Sequence, residues 1–106
     1  MNATLKTRLI ADAKVAVRLI SITEFDNEIG DLIEAVAREL IVMNAIQEAQ
    51  LNGTTIDPLI KRAIITFVRA KFGTPEDRDR LTADYEDQKR VLMMTSGYTD
   101  WGEVNG

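Results

Sequence analysis

The densest set of potential metal ligands in the chain is a run of five acids, Glu24, Asp26, Glu28, Asp31 and Glu34. Clustered carboxylates are what a hard cation such as Ca²⁺ or Mg²⁺ takes from a protein. The same acids fall on the opening turns of an amphipathic segment, where negative charge favours the positive end of a helix. That is the role expected for them. A second acidic pair, Asp77-x-Asp79, begins like a calcium loop but does not continue as one. Its sixth position is Thr82, where the sharp turn needs Gly, and its twelfth is Gln88, where a bidentate Glu is required.

Covalent and acid–base chemistry has little to stand on. The chain has no cysteine and no histidine, which removes thiolate zinc sites, disulfides, the commonest general base and the commonest nitrogen ligand. No serine stands beside a plausible base. Gly53 and Gly73 are isolated, so no glycine-rich phosphate loop is present. No catalytic residue, metal site or cofactor is expected, and the chain is not expected to be an enzyme.

Two further groups of residues suit binding. Lys61, Arg62, Arg69 and Lys71 give one helix a basic character, which in a helix-turn-helix protein would mark the recognition helix. That helix also carries a wide apolar face, and a buried role suits it better than a place in a DNA groove. A net charge of −4 points the same way, because nonspecific nucleic-acid binders neutralise phosphates with an excess of Lys and Arg. The other group is Tyr98 and Trp101, which lie beyond the last helical pattern. They either fold back on the bundle or serve as anchors against a partner, a use for which aromatics are favoured.

The elements that position these residues are helices. The stretch Asp57 to Gly73 contains a start, a stop and the densest apolar face in the chain. Asp57 suits an N-cap, Pro58 the first helical position and Gly73 a left-handed closing residue. Between them Leu59, Ile60, Ala63, Ile64, Phe67, Val68 and Phe72 recur at helical spacing, wide enough for neighbours on more than one side. This is the expected central helix. Before it, Leu5, Leu9, Ala13, Ala16 and Val17 mark a short first helix. Phe25, Ile29, Leu32, Ile33, Val36, Leu40 and Met43 mark a second, capped by Thr23 or Asp26.

Asn44 is expected to close the second helix in the left-handed conformation, the alternative being a helix that runs on to Gly53. Residues 45–56 then form a polar connection, with a hairpin as a less regular alternative. A fourth helix is expected with Thr74 as cap and Pro75 as first residue, burying Leu81, Tyr85, Gln88 and Leu92 with Val91 beside them. Thr95-Ser96-Gly97 is expected to end it. The fold class is therefore all-α: a small bundle of four helices spanning about 4–17, 24–43, 58–72 and 75–95, the third central, with an irregular C-terminal tail. Residues 1–97 form the helical domain and 98–106 a tail suited to be an interaction arm.

A length of 106 residues suits one domain, and 45% apolar content a modest core. No apolar run approaches the ~18 residues of a membrane span. Met1 to Lys6 lacks the charged start and apolar centre of a signal peptide, so a soluble, cytoplasmic protein is expected.

Asp57-Pro-Leu-Ile-Lys-Arg-Ala-Ile64 with the closing Lys71-Phe-Gly73 resembles the head–tail connector proteins (adaptor or head-completion proteins) of tailed bacteriophages. In that family a short first helix and an amphipathic second helix precede a helix of this kind. A charged helix follows, with a tyrosine at its middle and a closing Ser and Tyr. Here Tyr85 and Ser96-Gly97-Tyr98 stand at those places, and the resemblance covers most of residues 25–98. Asn44 departs from it, standing where Gly is expected in many relatives. The resemblance implies a helical protein that assembles as a ring of copies beneath the portal and extends the DNA channel. It also implies a surface for the next neck or tail protein, and a location in the virion neck after assembly in the host cytoplasm. DNA would pass through without sequence-specific binding, which a negative surface suits. The alternative is a prophage-encoded helical DNA-binding regulator.

Overall fold

The computed structural model describes the backbone of residues 1–105 and the side chains of residues 1–94. Four helices follow one another: α1 (Ala3–Ala16), α2 (Asp26–Val42), α3 (Pro58–Lys71) and α4 (Arg78–Asn105). A short 3-10 turn, Glu48–Leu51, lies between α2 and α3, and no strand occurs among the described residues. The all-α fold read from the sequence is the fold observed.

Each helix begins and ends for a local reason. At α1 the Asn2 side chain accepts from the Leu5 N–H at 3.1 Å, an N-cap bond. The Asn2 backbone N–H meets the Leu51 carbonyl at 2.8 Å, which pins the start of α1 to the 3-10 turn. At α3 the Asp57 side chain accepts from Leu59 N–H at 2.8 Å, with Pro58 as the first helical residue, as its sequence requires. The end of α2 is closed by Asn44 at φ 59°, while Ala45 N–H bonds Leu40 O and Asn44 N–H bonds Ile41 O. This is the paired closure of a Schellman motif. The same closure ends α1, with Arg18 at φ 62°, Leu19 N–H on Lys14 O and Arg18 N–H on Val15 O.

The helices alternate in direction. Lys6 meets Glu34 and Lys14 meets Asp26, so α1 and α2 are antiparallel. Phe25 packs edge-on against Phe72 with ring centres 5.5 Å apart, which sets α2 antiparallel to α3. Phe67 packs edge-on against Tyr85 at 5.2 Å, and α4 runs back along α3. Among these helices α3 packs against all three others. It supplies Ile60, Ala63, Ile64 and Val68 to a core shared with Leu5, Leu9, Ile29, Ile33, Leu40, Tyr85 and Leu92. A methyl on Gly30 would stand 3.2 Å from Lys6 Cε and 3.3 Å from Ile10 Cδ1, so α1 crosses α2 closely at this point.

Several boundaries differ from the sequence expectations. No side chain caps α2: Phe25 holds that position, and Asp26 turns instead to Lys14. The connection 45–56 is less polar than expected, because Ala45, Ile46 and Leu51 are buried in the core. Gly73 is left-handed at φ 67°, but α3 has already ended, with Phe72 extended so that its ring reaches Phe25. Neither Thr74 nor Pro75 starts α4; they precede a turn at Glu76 and Asp77, and the first helical bond runs from Leu81 N–H to Asp77 O at 2.9 Å. Leu59 and Val91, expected on the apolar faces, are exposed.

The largest difference lies at the C-terminus. The sequence places an irregular tail after residue 97, whereas the backbone of α4 continues through Gly97 to Asn105. Each of the two glycines it passes, Gly97 and Gly102, costs a helix about 1 kcal/mol. Once a helix is nucleated, each further residue adds a hydrogen bond, so such a cost weakens propagation without ending it.

Candidate functional site

The acids near the start of α2 do not converge. Asp26 Oδ1 lies 3.0 Å from the nearly buried Lys14 ammonium, an ion pair by distance although the approach is off the direction of a hydrogen bond. Glu34 pairs with Lys6 at 3.1 Å. Glu24, Glu28 and Asp31 stay exposed, and no group of three acids among the described residues is placed to hold a metal ion. Asp77 binds the Arg80 guanidinium, whose hydrogen bond holds its carboxyl below the ordinary value. Asp79 is exposed on the first turn of α4.

The basic residues of α3 are divided in the same way. Lys61 pairs with Asp12 of α1 at 2.9 Å, and Lys71 sits 5.8 Å from the centre of the Phe67 ring. Arg62 and Arg69 remain exposed. The backbone of Tyr98 and Trp101 belongs to α4, but their side chains lie outside the described residues.

One cluster has no counterpart in the sequence reading. Tyr85 is buried in α4 and donates its hydroxyl to Glu39 Oε2 of α2. Lys89, one turn further on, pairs with Glu86 at 2.7 Å, lies 3.7 Å from the other Glu39 oxygen, and stands 5.4 Å from the Tyr85 ring centre. Burial pushes the Tyr85 phenol well above its ordinary value, and the bond to Glu39 adds to this. The hydrogen bond to Glu86 raises Lys89. The Tyr85 and Lys89 contacts with Glu39 fasten α4 to α2. The adjoining depression, lined by Phe67, Ala70 and Thr82, has a volume of about 120 Å³. That is below the ~300 Å³ at which small-molecule sites begin. The sequence signal was available only in part: Tyr85 is visible on the apolar face of α4, whereas Glu39 looks like any exposed helix acid.

The surface that remains unexplained is apolar. Ten large hydrophobic side chains among the described residues are exposed. Val15, Ile20 and Ile22 occupy the corner between α1 and α2. At the opposite end lie Met1, the closing residues Val42 and Met43 of α2, and Leu59 on the first turn of α3. Val91, Met93 and Met94 are exposed along α4. Apolar groups gathered at two separate places mark interaction surfaces more readily than scattered ones do. Compared with protein-family models, with curated proteins and with solved structures, the chain shows no significant match.

Proposed function

We propose that this chain is a structural neck protein of a tailed bacteriophage or prophage. It forms a ring beneath the portal, extends the DNA channel and offers a surface to the next neck or tail component. The observation that carries the reading is the Asp57–Gly73 stretch, whose resemblance to the head–tail connector proteins coincides with the helix on which the other three pack. Supporting it are an acidic net charge and the exposed apolar side chains. The regulator reading needs α3 as a groove-reading helix. With all three other helices against it, α3 has little free face to offer DNA.

The test is reconstitution with the portal protein of the same genome. The chain is expected to co-sediment with portal rings and to add a ring of density beneath them. Trp101, the only tryptophan, reports on the proposed arm: its emission is expected to shift to the blue and resist quenching on assembly. Absence of portal binding, together with duplex-DNA binding that falls steeply with salt, would replace the neck protein by the regulator.

A further inference from the structure

Asn52 and Gly53 open the bend that joins the 3-10 turn to α3, and both are exposed. The main chain of Asn52 is held: its N–H bonds Ala49 O at 3.2 Å, and its carbonyl accepts the Asn2 side-chain amide at 3.2 Å. Its own side-chain amide has no hydrogen-bond partner among the described residues, and neither has the Gly53 N–H. A carboxamide and a free backbone N–H one residue away are tethered reactants, at a high effective concentration toward each other. Such pairs make asparagine one of the thermolabile residues.

The other described asparagines differ. Asn2 accepts from Leu5 N–H and donates to Asn52 O, so both ends of its side chain are engaged. Asn27 lies within α2. Asn44 precedes Ala45, whose N–H is bonded to Leu40 O at 2.8 Å.

We propose that Asn52 is a site of spontaneous deamidation through a cyclic imide. Hydroxide takes the Gly53 amide proton, and the nitrogen attacks Asn52 Cγ. The new N–Cγ bond closes a five-membered ring, the Cγ–Nδ2 bond breaks, and ammonia leaves with a proton returned from water. Water then opens the imide at Cγ to give aspartate at position 52, or at the main-chain carbonyl carbon to give isoaspartate. The change adds one negative charge and needs no oxidant or reductant. In the isoaspartate the main chain runs through the former side chain and gains a methylene. The carbonyl that accepts from Asn2 becomes a carboxylate off that path. This falls beside buried Leu51, whose carbonyl pins the start of α1 through Asn2 N–H.

Attack requires the Asn52–Gly53 link to turn, which a glycine hinders least. The fold does not itself require a glycine there. Gly53 is not left-handed, and an added Cβ would meet only Thr55 O, at 3.9 Å. Gly53→Ala therefore tests the chemistry without disturbing the bend.

The experiment holds the full chain at neutral pH and physiological temperature for several weeks, then digests it with trypsin. The fragment Glu39–Lys61 carries Asn44 and Asn52 together, so each serves as the other's control. Its mass is expected to rise by one unit, with fragmentation placing the change at Asn52 and isoaspartyl methyltransferase counting the isoaspartate. The rate is expected within about tenfold of that of a free peptide of residues 48–56, a barrier difference under ~1.4 kcal/mol. Gly53→Ala is expected to slow conversion at least about tenfold. Asn52→Gln is expected to abolish it. An Asn52 that stays intact while the peptide converts overturns the proposal, because the fold then protects it. Conversion of Asn44 as fast as Asn52, or an unchanged rate in Gly53→Ala, also overturns it, since the free Gly53 N–H would not be selecting the site. None of these outcomes bears on the neck-protein reading.

Discussion

At the scale of single residues, the Tyr85 hydroxyl does the most specific work in the described structure. It ties α4 to Glu39 of α2 and sits beside the Lys89–Glu86 pair. Both Tyr85 and Lys89 hold their protons more tightly in the fold than at their ordinary values of 10.0 and 10.5. A group raised on folding contributes stability that is fully present below its unfolded value and is lost as pH climbs toward the folded one. Stability should therefore be flat through neutral pH and fall above about pH 10. Tyr85→Phe should cost about 1–2 kcal/mol at pH 7 and flatten part of that alkaline decline. Urea melts of both proteins at pH 7, 9 and 10.5 check this. An unchanged alkaline profile in the variant would show that the phenol is not the titrating group.

At the scale of elements, two helix ends rest on residues that are not glycine. Arg18 and Asn44 both take positive φ to close α1 and α2. Asn tolerates this conformation, whereas a side chain such as Arg carries about 1–2 kcal/mol of strain in it. Arg18→Gly removes that strain at some cost in unfolded-chain entropy, so a net gain of about 0.5–1 kcal/mol is expected. Asn44→Ala should move the other way by about 1 kcal/mol. Thermal melts of the two variants measure both. The closing role of Asn44 was legible in the sequence because Asn is the usual substitute for Gly there. That of Arg18 was not, because nothing in its chemistry favours the left-handed region. The bonds from Arg18 and Leu19 back to Val15 and Lys14 hold it there.

At the scale of the molecule, the bundle stands on α3. Ile64 is fully buried at the centre of a core drawn from all four helices and the 3-10 turn. Ile64→Ala should cost about 2–5 kcal/mol through lost burial and the cavity left behind. A single-domain bundle of this size is expected to unfold in one step, so the loss should appear as a shift of the whole transition. Circular dichroism during a denaturant melt gives the test. A variant that melts with the parent, or that loses only part of its helix, would show that α3 is not the common support.

The amino-acid pattern alone determined the fold class, the number of helices, the central place of α3 and most of its buried face. Those properties follow from apolar spacing and from the Asp57-Pro58 start, which act within a few residues of one another. It also showed which chemistry the residue types lack, since a chain without cysteine or histidine lacks it in any fold. The tertiary structure decided what spacing cannot express. It joined Glu39 to Tyr85 across 46 positions and buried Ala45, Ile46 and Leu51 from a stretch that reads as polar connection. It delayed α4 to Arg78 and carried its backbone past Gly97, because propensity weighs one residue at a time while a helix already under way extends by hydrogen bonds.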